Sequence, residues 1–127
     1  MAQGKEIGAF TLKGDAFIYT PGPGQSVTVQ VCYSGPVTGE VAGTHRGTMT
    51  VVIVPGAKVV TYTYCGVTYL PTGDAVGVTS QGTGENIGNN KRQLRGVNYF
   101  SDGRIAAVEA EGDLVEGTLT GKLFEWS

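Results

Sequence analysis

His45 is the only histidine in the chain, and strand alternation puts it on one face with Val41, Gly43, Gly47 and Met49, where it is the one large polar group. The flanking glycines leave room beside the imidazole, and an imidazole can take or give a proton near neutral pH, so His45 is the candidate catalytic residue. Tyr62 and Tyr64 stand two residues apart and share a face, which makes them one continuous aromatic wall. With Tyr33, Tyr69, Tyr99 and Trp126 they supply most of the aromatic area from which a small-molecule pocket would be built. Arg46 completes the set of candidate ligand-binding residues, although regular alternation points it away from His45 and a joint His–Arg anion site needs a bulge at Gly47.

Other groupings of reactive residues lead elsewhere. Glu109 and Glu111 share a face with Ile105 and Ala107, and this pair of carboxylates reads as the solvent side of a strand rather than as an acid and base. The run Gly82-Thr83-Gly84-Glu85-Asn86-Ile87-Gly88 is rich in glycine, but it lacks phosphate-loop spacing and no helix follows to supply amide groups. Lys91, Arg92 and Arg95 are the only basic cluster in a chain with 9 Lys+Arg against 11 Asp+Glu, a poor electrostatic footprint for nucleic acid. The two cysteines, Cys32 and Cys65, lie 33 residues apart in strand-like runs. They read as reduced, buried thiols; with a single histidine they make no zinc spacing, and the chain is expected to use neither metal nor cofactor.

The elements that carry these residues are strands. In 127 residues there are 16 Val, 15 Thr and 5 Ile against 6 Leu, 9 Ala and 2 Met, and 21 Gly punctuate the whole length. β-Branched residues favour extended backbone and glycine favours turns, so an all-helical fold is excluded. Hydrophobic residues at 40% with charged residues at 16% are enough for one packed domain spanning 1–127. No apolar run reaches the ~20 residues of a membrane-crossing helix. The first six residues carry no secretory pattern, and with thiols rather than disulfides the expectation is a cytoplasmic protein.

Along the chain, residues 8–20 read as a strand broken near Gly14-Asp15 and ended by Pro21-Gly22-Pro23-Gly24. Residues 26–34 alternate cleanly, with Val27, Val29, Val31 and Tyr33 on one face. Gly35-Pro36 is expected to turn the chain into residues 37–54, which are bent or bulged at their glycines, and Pro55-Gly56 ends that stretch. Residues 57–69 form a further strand, 75–83 a short one followed by a polar loop over 84–90, and 91–100 another that ends at the hairpin signal Ser101-Asp102-Gly103. Residues 104–111 are rich in Ala and Glu, yet eight residues between two turns suit a strand better than an isolated helical turn. The final strand lies within residues 115–126. Eight or nine strands with short connections make an all-β antiparallel meander, which closes into a barrel of about eight strands, with a two-sheet β-sandwich as the alternative.

Residues 82–126, with GTGENIGNNKRQLRGVNYFSDGR and the closing GTLTGKLFEW, resemble small calycin-like or allene-oxide-cyclase-like β-barrels in strand rhythm and glycine placement. The resemblance implies a lumen and a tendency to form homo-oligomers, and it carries over no catalytic residue. Families of that shape include lumen-binding carriers, cyclases and many bacterial proteins. The functional expectation is a barrel that holds a small apolar or aromatic molecule in its lumen, with no nucleic-acid or membrane partner. The alternatives are a cofactor-free isomerase or cyclase in which His45 or a tyrosine moves a proton, and a structural or assembly protein.

Overall fold

The computed structural model describes residues 4–126 and shows eight strands in an all-antiparallel, closed barrel, each paired with its neighbours in sequence. The strands are β1 (Glu6–Pro21), β2 (Val27–Gly39), β3 (Gly43–Ile53), β4 (Val59–Tyr69), β5 (Ala75–Gly88), β6 (Lys91–Phe100), β7 (Ile105–Asp113) and β8 (Thr118–Glu125). One short 3-10 turn, Pro23–Gln25, lies between β1 and β2. No helix among the described residues is long and apolar enough to cross a membrane. Closure is made by β8 pairing with residues 6–13 of β1, so the second half of β1 runs on with β2 alone beside it.

The inner face follows the alternation of the sequence. Val29, Val31 and Tyr33 on β2, Met49 and Val51 on β3, and Val60 and Tyr62 on β4 are buried in one cluster with Leu12, Leu94, Ala110 and Leu119. They fill the half of the barrel nearest the β1–β2 and β3–β4 connections, and Ala106, Val108 and Leu123 form a smaller buried cluster towards the other end. The break expected at Gly14-Asp15 is a register shift between Gly14 and Ala16, a bulge that bends β1 where it leaves β8.

Two segments depart from the sequence reading. Gly35-Pro36 does not turn the chain: β2 runs through to Gly39, and the turn comes at residues 40–42. Phe10↔Val37 and Lys13↔Ser34 keep one register with no β1–β2 pair made at Gly35 or Pro36 between them, so the missing proline N–H falls in a gap of that ladder. Residues 84–88 are not loop either. They continue β5, paired through Glu85↔Gln93 and Asn86↔Arg92, and the turn shrinks to Asn89-Asn90, both at positive φ (55° and 64°) as a tight hairpin requires. Polar composition suggested a loop; cross-strand pairing on a curved sheet overrides it.

Candidate functional site

His45 points into the barrel and is 5% exposed. Its strand partner on β4 is Thr68, and the next inward position on both strands is glycine: Gly47 lies directly opposite Gly66. These two missing side chains create the site. A Cβ on Gly66 would press on His45 Nε2, and one on Gly47 would press on the Tyr64 hydroxyl, so the imidazole and the phenol lean towards each other over the gap. His45 Nε2 lies 2.5 Å from Tyr64 Oη and Nδ1 lies 2.9 Å from Thr68 Oγ1. In one neutral tautomer Nδ1–H donates to Thr68 and Nε2 accepts from the Tyr64 hydroxyl; in the other both directions reverse.

Tyr62 repeats the device one layer further in. Its register partner Gly82 on β5 is itself paired with Gly96 on β6, and the Tyr62 hydroxyl fills the place of a Gly96 side chain. There the hydroxyl lies 3.1 Å from Ser80 Oγ, a hydrogen bond between two buried groups.

These residues border an interior cavity of about 60 Å³ whose walls are mostly apolar, with Phe10, Val37, Val41, Phe100, Val108 and Leu123 at the end nearest the β2–β3 and β6–β7 turns. Polar groups reach it from one side only: His45, Tyr64 and Thr68, then Ser80 and Asn98 on adjacent strands. The Asn98 Oδ1 is buried and has no hydrogen-bond partner. An unpaired buried carbonyl oxygen is costly, and few native side chains are left so.

Burial sets the charge state of the wall. It lowers the His45 pKa to about 4 and pushes the Tyr33 phenol up to about 12; Tyr62 and Tyr64 are raised for the same reason, Tyr62 against an opposing hydrogen bond from Ser80. At neutral pH the wall is therefore uncharged, with His45 well below the range in which an imidazole exchanges protons readily.

The structure brings together three of the residues singled out in the sequence, His45, Tyr62 and Tyr64, and separates the rest. Tyr33 faces inward but belongs to the packed cluster rather than the cavity wall. Arg46 corrects the expected anion contact: the β3 register runs through Gly47 without a bulge, so Arg46 is exposed on the outer surface. Tyr99 also lies outside, 45% exposed on the outward side of β6, and Trp126 follows the end of β8 at 48% exposure; neither contributes to the lumen. Cys32 and Cys65 are free and face outward, not into the core. Each is in register with Thr48, so they stand two strand spacings apart, roughly 9–10 Å and too far for a disulfide.

Thr68, Ser80 and Asn98 were not singled out in the sequence. The available signal was positional: Asn98 continues the inward series Leu94, Gly96 and precedes Phe100, so it is a polar residue in a core phase. Comparison with family models, curated proteins and solved structures finds no match for this chain, and what the structure shows is a closed, eight-stranded antiparallel barrel.

Proposed function

We propose that this barrel binds a small, neutral, largely apolar molecule that carries one hydrogen-bond donor, with the donor directed at Asn98 Oδ1. The observation that carries this reading is the buried, unpartnered Asn98 oxygen in the wall of an otherwise apolar cavity. A hydroxyl or N–H group there would remove the penalty of an unsatisfied acceptor while the rest of the ligand is desolvated. The uncharged wall disfavours anions: none of the residues lining the cavity is a lysine or arginine, and a carboxylate would lose its hydration without compensation.

Size narrows the class. The cavity of about 60 Å³ is smaller than the ~150 Å³ that holds benzene in a protein core. Small alcohols fit the resting space, and a single aromatic ring fits once flexible lining groups such as Met49 shift. A ligand-holding lumen is also what the likeness to calycin-like and allene-oxide-cyclase-like barrels implies.

The test is an NMR titration with phenol, benzoate and, at the small end, 2-propanol. Phenol and 2-propanol should shift resonances of Tyr64, Val108 and Leu123, and benzoate should leave them in place. Asn98→Leu should weaken phenol binding about five- to tenfold, the effect of losing one buried hydrogen bond. Shifts confined to the outer face, or benzoate binding as well as phenol, would refute the assignment.

A second reading, cofactor-free isomerisation, is favoured by the His45–Tyr64 pair bordering the cavity. We rank it second because burial holds both groups neutral, which makes the imidazole a weak base and the phenol a weak acid. If this reading is right, His45→Ala should lower turnover at least tenfold, as expected for loss of a general acid–base.

A further inference from the structure

The loop after β2 contains Glu40 and Val41, and its two side chains part company. Val41 is 6% exposed and lines the cavity, although it lies between strands rather than in one. Glu40 turns to the surface and meets Arg104 Nη1 at 3.4 Å. Arg104 belongs to the β6–β7 turn. In a ring of eight strands taken in sequence order, the β2–β3 and β6–β7 connections are four strands apart, on opposite sides of the opening. Two loops so placed touch only if they lean over the mouth, and the Glu40–Arg104 pair therefore spans it.

The contact is prearranged on one side and lightly held on the other. Asp102 grips the same guanidinium through Nε at 2.9 Å and Nη2 at 2.8 Å, and its other oxygen accepts the Arg104 backbone N–H at 3.1 Å. Arginine fixed in this way reaches Glu40 with little further loss of side-chain freedom. The β2–β3 loop has one other tether near its start, the Glu40 N–H donated to the Ile7 carbonyl at 2.9 Å. The same end of the barrel holds the cavity; the opposite end is filled by the packed valine and tyrosine cluster.

We infer that residues 40–42 form a cover over the mouth of the lumen, with Val41 as its plug and the Glu40–Arg104 pair as its latch, and that small molecules enter and leave past Val41. The entry route rests on the proposed lumen binding; the movement of the cover does not. An exposed ion pair shifts an equilibrium by no more than about fivefold, so the latch biases the cover and does not lock it.

The test is amide hydrogen exchange on the whole protein, with Arg104→Gln removing the latch and Asp102→Asn releasing the guanidinium without removing it. At about 0.1 M salt, where screening length is ~10 Å, Arg104→Gln should speed exchange at Glu40 about two- to fivefold and leave β4 amides unchanged; Asp102→Asn should give a smaller change in the same direction. At about 1 M salt, where screening length is ~3 Å, the wild type should approach the variant. Equal Glu40 exchange in wild type and Arg104→Gln at low salt overturns the cover. Phenol gives the second readout: Arg104→Gln should raise its association and dissociation rates together and leave Kd within about twofold, as expected for a gate that acts on passage. Failure of phenol to bind either protein would refute the lumen reading, while Glu40 exchange still decides the cover. Faster Glu40 exchange with unchanged phenol rates would refute entry past Val41.

Discussion

His45 is a histidine that the fold keeps uncharged, and that choice has a cost at low pH. The unfolded chain takes up the proton near 6.5, whereas the buried side chain takes it up only near pH 4 because desolvation penalises the imidazolium. Between those values the unfolded state holds more protons than the folded one, so stability rises with pH across the window. The contribution is fully present above pH 6.5 and is lost as pH falls towards 4, on the order of 3 kcal/mol in all. His45→Gln, which keeps a neutral polar side chain, should therefore flatten the dependence of the urea midpoint on pH between 6.5 and 4.5, whatever its offset at pH 7. A variant as pH-dependent as the wild type would show that His45 titrates normally in the fold.

Pairs of strands, rather than single strands, build the site. Gly47 against Gly66, and Gly82 against Gly96, are paired inward positions without side chains; the Tyr64 hydroxyl lies over Gly47, His45 Nε2 over Gly66 and the Tyr62 hydroxyl over Gly96. Gly96→Ala would drive a Cβ into the Tyr62 hydroxyl and the Gln81 backbone, and overpacking of this kind costs about 1–3 kcal/mol. Gly112 is the informative contrast. It too faces inward, but a Cβ there would meet Leu119 and Leu94 at 3.6 and 3.8 Å, ordinary contact distances. Gly112→Ala should be neutral or slightly stabilising; urea midpoints of the two variants measured side by side check the distinction. Sequence reasoning reaches this scale unevenly. The alternation in residues 41–49 and 57–69 is local, so it identifies the inward faces and with them His45, Tyr62 and Tyr64. Asn98 becomes a neighbour of Ser80, and Thr68 of His45, only through inter-strand register, which the closure of the whole ring fixes. Arg46, Tyr99 and Trp126 stand out by residue type alone, and residue type does not decide which side of a sheet a side chain takes.

At the scale of the molecule, every strand is hydrogen-bonded to its sequence neighbours, and the single pairing not made between neighbours is β1 with β8. That contact runs almost to the ends of the described residues: the Glu125 N–H donates to the Lys5 carbonyl at 2.9 Å, and a Cβ on Gly4 would touch Glu125. Near the opposite end of the barrel, Asn89-Asn90 is an exposed two-residue turn that touches no part of the cavity. The β1–β8 contact is thus a hydrogen-bonded antiparallel seam of the same kind as the other seven, although it takes in only residues 6–13 of β1 and lacks a covalent bridge. A circular permutant, with a short glycine linker joining residues 126 and 4 and new ends between Asn89 and Asn90, should fold to the same barrel, with a urea midpoint close to that of the parent and the same phenol response. Where the polypeptide starts is then a separable property of the molecule, and the shape of the lumen belongs to the ring rather than to the order in which its staves are threaded.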